Sequence, residues 1–169
     1  MKIRLFAPVF AALLSCGYGT NTLAQAFFEE KVWKESEAPP PPPVDFTKLL
    51  AFNMAPGLAL VYGVDPASIS ISKSDSLVRY VMVATSASGA RNVMYEAIRC
   101  STAEVKTYAR YSAAGLWRPV ENPEWRSMLG NMQSKHALQF ARAGACDAAT
   151  PVSSVPELVN KLKYFDAHQ

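Results

Sequence analysis

Apolar and polar residues alternate most regularly over residues 77–100, in the stretch LVRYVMVATSASGARNVMYEAIRC. β-Branched and aromatic residues stand on both sides of a short glycine-containing loop, a pattern that predicts a β-hairpin. If Ala87 pairs with Ala90, the alternation of side chains places Arg79 and Glu96 on one apolar face, within reach of each other. The opposite face is also apolar, so we expect the sheet to be covered on both faces.

Shorter patterns predict further elements around this hairpin. Apolar runs bounded by turn residues predict strands at 49–54, 58–62, 69–72, 104–112 and 116–120. A helix is predicted to start at Asn122, with a restart at Asn131 as the alternative, and to end at Gly144. Its apolar stripe is Leu129, Met132, His136, Phe140 and Ala143. A capping-box pattern at Ser154 and Glu157 predicts the start of a last helix. The chain is therefore predicted to be α+β, an antiparallel sheet of about five to six strands with two to three helices packed on it.

Residues 1–26 have the features of an export signal. Lys2 and Arg4 precede an apolar run that is about half the length of a membrane-spanning helix, which needs roughly 20 residues. The small-x-small site at residues 24–26 predicts cleavage before Phe27 and a soluble periplasmic protein. The stretch that ends at Cys16 resembles a bacterial lipobox, and cleavage there predicts a protein lipid-anchored to the outer membrane through Cys16. No transmembrane helix is expected in the mature chain.

A charged and proline-rich linker is predicted at residues 27–44. Its five consecutive prolines, Pro39 to Pro43, favour an extended polyproline II conformation. We interpret the segment as a semi-rigid spacer, with a ligand for a proline-binding groove as the alternative. Trp33 is expected to fold back onto the single α+β domain, which is predicted at residues 45–169.

Charge and cysteine content narrow the functional classes. The chain has 17 Lys and Arg against 14 Asp and Glu, and removal of Lys2 and Arg4 with the signal leaves 15 basic residues. That near balance argues against nucleic-acid binding and against a polybasic membrane surface. Cys100 and Cys146 remain after cleavage at residue 26, and an even count in an oxidising compartment predicts one structural disulfide. Two cysteines so far apart are a poor metal signature, and no metal or other cofactor is expected.

His136 is the clearest candidate for chemistry, but the sequence around it forms no catalytic motif. The chain has no GxSxG, no HExxH and, apart from His168, no second histidine. A general base needs a nucleophile and an orienting partner, so a hydrogen-bonded core or cleft histidine is the favoured interpretation. Trp117, Trp125 and Tyr108 are candidates for a recognition surface, because Trp and Tyr are enriched at interface hot spots, with core positions as the alternative.

Several motifs together are similar to those of one known family. They are VDPAS, VRY, SGARNVMYEAIRC and NPEW, followed by one further cysteine, and they extend over residues 32–146. On these motifs the chain resembles the cryptic neisserial protein-like, or CNP1-like, family of exported proteobacterial proteins. The resemblance implies a single-domain periplasmic or lipoprotein-like protein without an assigned activity, so no catalytic residues are carried over. The residues that match the central motif are Asn92, Tyr95, Glu96, Arg99 and Cys100.

Three hypotheses for function follow from the sequence. The first is a non-enzymatic periplasmic module that binds a protein or another component of the cell envelope. The second is a lipoprotein anchored at Cys16. The third is a small hydrolase that uses a cluster of Glu96, Arg99 and Arg79, with or without His136, and it requires a pocket that gathers these groups. The candidate binding or structural residues are Arg79, Asn92, Tyr95, Glu96, Arg99, Trp117, Trp125 and His136.

Overall fold

The predicted hairpin lies at the centre of an antiparallel sheet in the computed structural model, which describes residues 32–52 and 59–165. The strands are β1 (Leu50–Phe52), β2 (Leu60–Val64), β3 (Ser70–Ile71), β4 (Leu77–Ser86), β5 (Arg91–Arg99), β6 (Glu104–Tyr111), β7 (Trp117–Pro119), β8 (Arg126–Ser127), β9 (Cys146–Asp147) and β10 (Thr150–Pro151). Eight of them form one sheet in the order β1-β2-β4-β5-β6-β7, with β3 paired to β4 and β8 paired to β6. The α+β class agrees with the prediction, whereas the sheet has more strands than expected.

The hairpin register differs from the predicted one by one residue. Ser86 donates its backbone N–H to the carbonyl of Ala90 at 2.9 Å, so three residues rather than two form the turn. The turn ends at Gly89, whose φ of +83° is the left-handed conformation that closes loops of this length. Arg79 consequently lies opposite Ala97 and not beside Glu96. Because a shift of one residue exchanges the faces of a strand, the predicted pairing of Arg79 with Glu96 is wrong.

Both faces of the sheet are covered, as the two-sided apolar pattern predicts. One face, here called the helix face, carries the even-numbered residues of β4 and packs against α1 (His136–Phe140) and α2 (Val155–Phe165). The other face, here called the arm face, carries the odd-numbered residues of β4. Residues 33–46, here called the arm, lie against this second face. The arm belongs to the same compact unit as the sheet and covers part of its second face.

The long helix predicted from Asn122 is much shorter in the structure. Asn122 has a φ of +50°, and the chain then forms β8, which completes backbone hydrogen bonds along the edge of β6. Helix α1 begins only at His136 and continues as one wider turn over 141–145. Tertiary pairing with an open sheet edge therefore outweighs the local helix signal. Of the predicted stripe, Leu129 is 65% exposed, whereas Phe140 is fully buried.

Three other predictions for the C-terminal part of the chain are confirmed. Gly144 ends the helical segment with a φ of +131°, a conformation that residues with a Cβ rarely adopt. Cys100 and Cys146 form a disulfide with their Cα atoms 5.7 Å apart, which joins the end of β5 to the chain that follows α1. At the start of α2, Ser154 Oγ accepts the backbone N–H of Glu157 at 3.3 Å, as the capping pattern predicts. None of the helices in the described part of the chain is long and apolar enough to cross a membrane.

Candidate functional site

A buried carboxylate–imidazole pair lies between the helix face and α1. Glu96 projects from the middle of β5, and His136 is the first residue of α1, so the packing of the helix on the sheet brings them together. His136 Nε2 lies 2.8 Å from Glu96 Oε2. Tyr80 donates its hydroxyl to the same oxygen at 3.1 Å, and Thr107 donates to Oε1 at 3.0 Å. Both oxygens of the buried carboxylate are thus hydrogen-bonded.

These partners decide the charge of the carboxylate. Burial by itself raises the pKa of Glu96, because an ionised carboxylate loses its water shell. The electrostatic attraction of His136, together with the hydrogen bonds from His136, Thr107 and Tyr80, outweighs burial and holds the pKa of Glu96 below its ordinary value. Burial and the neighbouring negative charge raise the pKa of Tyr80 well above its ordinary value. At neutral pH the site therefore holds an ionised Glu96 and a hydroxyl donor at Tyr80.

Ser134 lies on the other side of the imidazole. Its Oγ is 2.9 Å from His136 Nδ1 and 2.9 Å from the hydroxyl of Tyr62. The Tyr62 ring is stacked on the imidazole, with 5.3 Å between ring centroids and only 4° between the planes. Stacking and the two ring hydrogen bonds fix the orientation of His136, with a carboxylate at Nε2 and a hydroxyl at Nδ1.

Most members of this polar group line a cavity of about 550 Å³. The cavity is lined by Tyr62, Asn92, Met94, Glu96, Val105, Thr107, Arg110, Arg126, Asn131, Met132, Gln133, Ser134 and His136. Arg110 and Arg126 are exposed at its opening, where Arg110 Nη1 lies 3.5 Å from Asn92 Oδ1. A second cavity of about 190 Å³ has the same two arginines in its lining. The site therefore combines the hydroxyl of Ser134, the oriented imidazole of His136 and the guanidinium groups of two arginines.

Among the residues predicted from sequence, the cavity brings together Asn92, Glu96 and His136 but not Arg79 or Arg99. Arg79 lies on the arm face, where its Nη2 is 2.6 Å from Asp75 Oδ2 in a fully buried ion pair. Arg99 stacks over the Trp33 ring with 3.7 Å to the centroid. The cluster of Glu96, Arg99 and Arg79 that the hydrolase hypothesis requires is therefore absent, because the sheet separates the two arginines from the carboxylate.

The aromatic residues predicted as a recognition surface also lie on the arm face, where they form hydrogen bonds with the arm. They are Tyr108, Trp117 and Trp125. Trp125 Nε1 donates to Glu35 Oε2 at 2.9 Å, and Tyr108 donates to Glu35 Oε1 at 2.8 Å. Burial raises the pKa of Glu35, but the hydrogen bonds from Lys106, Tyr108 and Trp125 outweigh it and lower that pKa overall.

Trp117 and Tyr95 complete the arm-face cluster. Trp117 Nε1 donates to the carbonyl of Pro42 at 3.2 Å, and Tyr95 packs against the Trp117 ring. In this structure these two side chains contact neighbouring parts of the same chain and form part of its core. Trp33 contacts the domain as expected, since its Nε1 donates to the carbonyl of Asp75 at 2.8 Å.

The sequence did not identify Ser134, Tyr62, Thr107 or the two arginines at the opening. Ser134 precedes His136 by two residues, a spacing that belongs to no known catalytic motif, and the others become neighbours only through strand pairing. In the described ranges 32–52 and 59–165, no group of three or more His, Cys, Asp or Glu side chains is arranged to hold a metal ion. Cys16 and the predicted signal lie outside these ranges.

Comparison with known proteins connects the chain to one family. A sequence model described as the CNP1-like family matches residues 28–163, which include every residue of the cavity. No curated protein and no solved structure matches the chain.

Proposed function

This chain belongs to the CNP1-like family, and we propose that it is an exported periplasmic domain that binds a small anionic molecule in its polar cavity. A volume of about 550 Å³ is within the range of small-molecule sites in proteins. The observation that carries the proposal is the pair of arginines at the opening. Among the described residues, neither Arg110 nor Arg126 forms a salt bridge, and both line the cavity.

The charge of Glu96 does not oppose this function. Its side chain is 2% exposed, and its oxygens already accept hydrogen bonds from Tyr80, Thr107 and His136. A ligand in the cavity therefore meets the two guanidinium groups and the polar side chains of Asn92, Asn131 and Gln133. Guanidinium groups form strong paired hydrogen bonds with carboxylates and phosphates, which makes these the ligand groups that fit the site.

Two observations support export. The predicted signal precedes a domain that contains the Cys100–Cys146 disulfide, and such crosslinks persist in the periplasm but are rare in the cytosol. Expression of the full chain in a bacterium, followed by fractionation and intact mass measurement, tests this part. A soluble species that begins at Phe27 and gains two hydrogen atoms on reduction is expected. A membrane species that begins at an acylated Cys16 would instead establish the lipoprotein alternative.

Binding is tested by calorimetric titration of the mature protein with succinate, citrate and inorganic phosphate. At least one of these probes is expected to bind with a Kd below about 1 mM. The double variant Arg110→Gln/Arg126→Gln should weaken that binding about 100-fold or more, because each lost charge-assisted hydrogen bond removes about 1.5–3 kcal/mol.

The matched control is Arg142→Gln/Lys163→Gln, which removes the same charge from two exposed positions outside the cavity. This control should bind the probe as the unchanged protein does. If none of the three anions binds, or if both double variants lose the same affinity, anion binding at this cavity is refuted.

A further inference from the structure

The hydrogen bonds of His136 link a hydroxyl to a carboxylate through one imidazole. Ser134 Oγ lies 2.9 Å from Nδ1, and Glu96 Oε2 lies 2.8 Å from Nε2. A nucleophile, a base and a group that orients the base, each within hydrogen-bond distance of the next, form the constellation used for nucleophilic catalysis. Ser134 also lines the cavity, so a ligand bound there can contact its hydroxyl.

We propose that this cavity hydrolyses carboxylic esters that carry a second, anionic group. Ser134 is the nucleophile, His136 is the general base through Nδ1, and Glu96 is a positioning residue that acts through Nε2. The substrate class rests on the proposed function, because Arg110 and Arg126 are assigned to the anionic group of the substrate.

The surroundings of His136 fix the proton on the correct nitrogen. The ionised carboxylate of Glu96 is acceptor-only, so the hydrogen bond at His136 Nε2 places an N–H there. In the neutral imidazole, Nδ1 then carries the lone pair and faces Ser134. The Ser134 hydroxyl donates to the Tyr62 hydroxyl at 2.9 Å, and rotation about its C–O bond turns the same proton toward His136 Nδ1, which is equally distant.

The reaction that this arrangement supports proceeds in two balanced halves. Ser134 Oγ forms a bond to the ester carbonyl carbon while its proton moves to His136 Nδ1. The bond from that carbon to the alcohol oxygen then breaks, and the proton passes from Nδ1 to the departing alcohol. In the second half, water attacks the acyl-serine, His136 Nδ1 takes a proton from the water, and the carbon–Oγ bond breaks as Oγ recovers that proton. The products are the alcohol and the carboxylic acid.

The same cavity holds hydrogen-bond donors for the developing negative charge on the carbonyl oxygen. Asn131 and Gln133 precede Ser134 in the same loop, and both line the cavity. Amide donors stabilise the tetrahedral intermediate of acyl transfer when they contact this oxygen, and we assign that role to Asn131 and Gln133. The arginines farther toward the opening remain available for the anionic group.

The first test is covalent labelling of the mature protein with a fluorophosphonate, which transfers its phosphonyl group to an activated serine and releases fluoride. Peptide mass spectrometry is expected to locate the adduct on Ser134. The second test is hydrolysis of mono-4-nitrophenyl succinate, with 4-nitrophenyl acetate as the uncharged comparison. The Ser134→Ala and His136→Gln variants should lower the turnover of the succinate ester by about 100-fold or more.

Matched variants separate catalysis from a structural effect. Ser88→Ala changes an exposed serine at the hairpin turn and should hydrolyse the ester at the unchanged rate. Glu96→Gln should lower kcat by about 10-fold or more with an unchanged KM, because it alters the orientation of the base and not the anion site. Labelling of the unchanged protein needs no variant, so it remains decisive even if a variant folds poorly.

Two outcomes would overturn the proposal: absence of an adduct on Ser134, or hydrolysis by Ser134→Ala at the unchanged rate. Titration of Ser134→Ala with succinate distinguishes this failure from failure of the binding function. If succinate binds but Ser134 is not labelled, the hydrolytic inference fails and anion binding stands. If Ser134 is labelled but the arginine double variant leaves KM for the succinate ester unchanged, hydrolysis stands and the assigned anion site fails.

Discussion

Replacement of Asp75 by alanine should strongly destabilise the domain, because it would leave the Arg79 guanidinium buried without a counter-charge. Arg79 Nη2 lies 2.6 Å from Asp75 Oδ2, and the two side chains are 3% and 0% exposed. Removal of one partner from a buried ion pair typically costs about 3–5 kcal/mol. Since domains of this kind unfold with about 5–15 kcal/mol, Asp75→Ala should remove a large part of the total stability.

The arm should loosen in the same variant. Asp75 also accepts the backbone N–H of Ser36 at 3.0 Å and lies in hydrogen-bond contact with the Ser36 hydroxyl. Arg79 Nη2 contributes a further contact, 3.3 Å from the Ser36 carbonyl oxygen. Loss of the carboxylate therefore removes the contacts at Ser36, whereas the Trp33 indole N–H still donates to the backbone carbonyl of residue 75.

Urea unfolding of the oxidised protein, followed by tryptophan fluorescence, measures the change. Glu104→Ala is the control, because its pair with Arg99 is longer, at 3.9 Å, and partly exposed, so about 0.2–1 kcal/mol is expected. The double variant Asp75→Ala/Arg79→Met should be more stable than Asp75→Ala, since it removes the unpaired charge as well. A loss below about 1 kcal/mol for Asp75→Ala, or a double variant that is no more stable, would refute the reasoning.

Three further predictions concern the stability of the domain. Reduction of Cys100–Cys146, which are 46 residues apart, should lower the free energy of unfolding by ~4 kcal/mol, and equal urea midpoints with and without reductant would contradict this. Gly144→Ala should lower the free energy of unfolding by about 1–3 kcal/mol, because the φ of Gly144 is +131° and a Cβ would lie 2.8 Å from a side chain of α2. Thermal unfolding measures this loss, and an unchanged Tm would argue against it. The pKa values of Asp75 and Glu96 both lie below their ordinary values of about 4. Their contribution to stability is therefore complete above that pH and is lost as pH falls through the lower folded-state values, so stability that is unchanged between pH 6 and pH 3 would be the contrary result.

In the β4–β5 hairpin, the local sequence pattern predicts the two strands but not the register between them. The β-branched and aromatic runs correctly predicted β4 and β5, because alternation of side chains is a property of each strand by itself. The register depends on the number of residues in the turn, and one additional residue moved Arg79 to the face opposite Glu96. Because of this one-residue difference, Glu96 lies on the helix face, where it contacts His136 and not Arg79.

Some residues of the candidate site could be recognised from the sequence, but the contacts between them could not. Glu96 and His136 were recognised as candidates from their types and positions, but their contact depends on where a short helix packs on the sheet. Ser134 carried no signal, since it lies in a loop between β8 and α1 and not in the helix that the sequence predicts there. The helix predicted there failed because an open edge of β6 offered backbone hydrogen bonds to residues 126–127.

The sequence by itself determined the family, the α+β class, the central strands and the pairing of Cys100 with Cys146, because these follow from local periodicity, residue type and cysteine count. Only the tertiary structure decided that the arm covers one face of the sheet and that the cavity forms on the other. It also decided that Ser134, His136 and Glu96 become neighbours. Contacts between residues about 40 positions apart depend on register and helix placement, which are fixed by the packing of the whole chain and not by any local pattern.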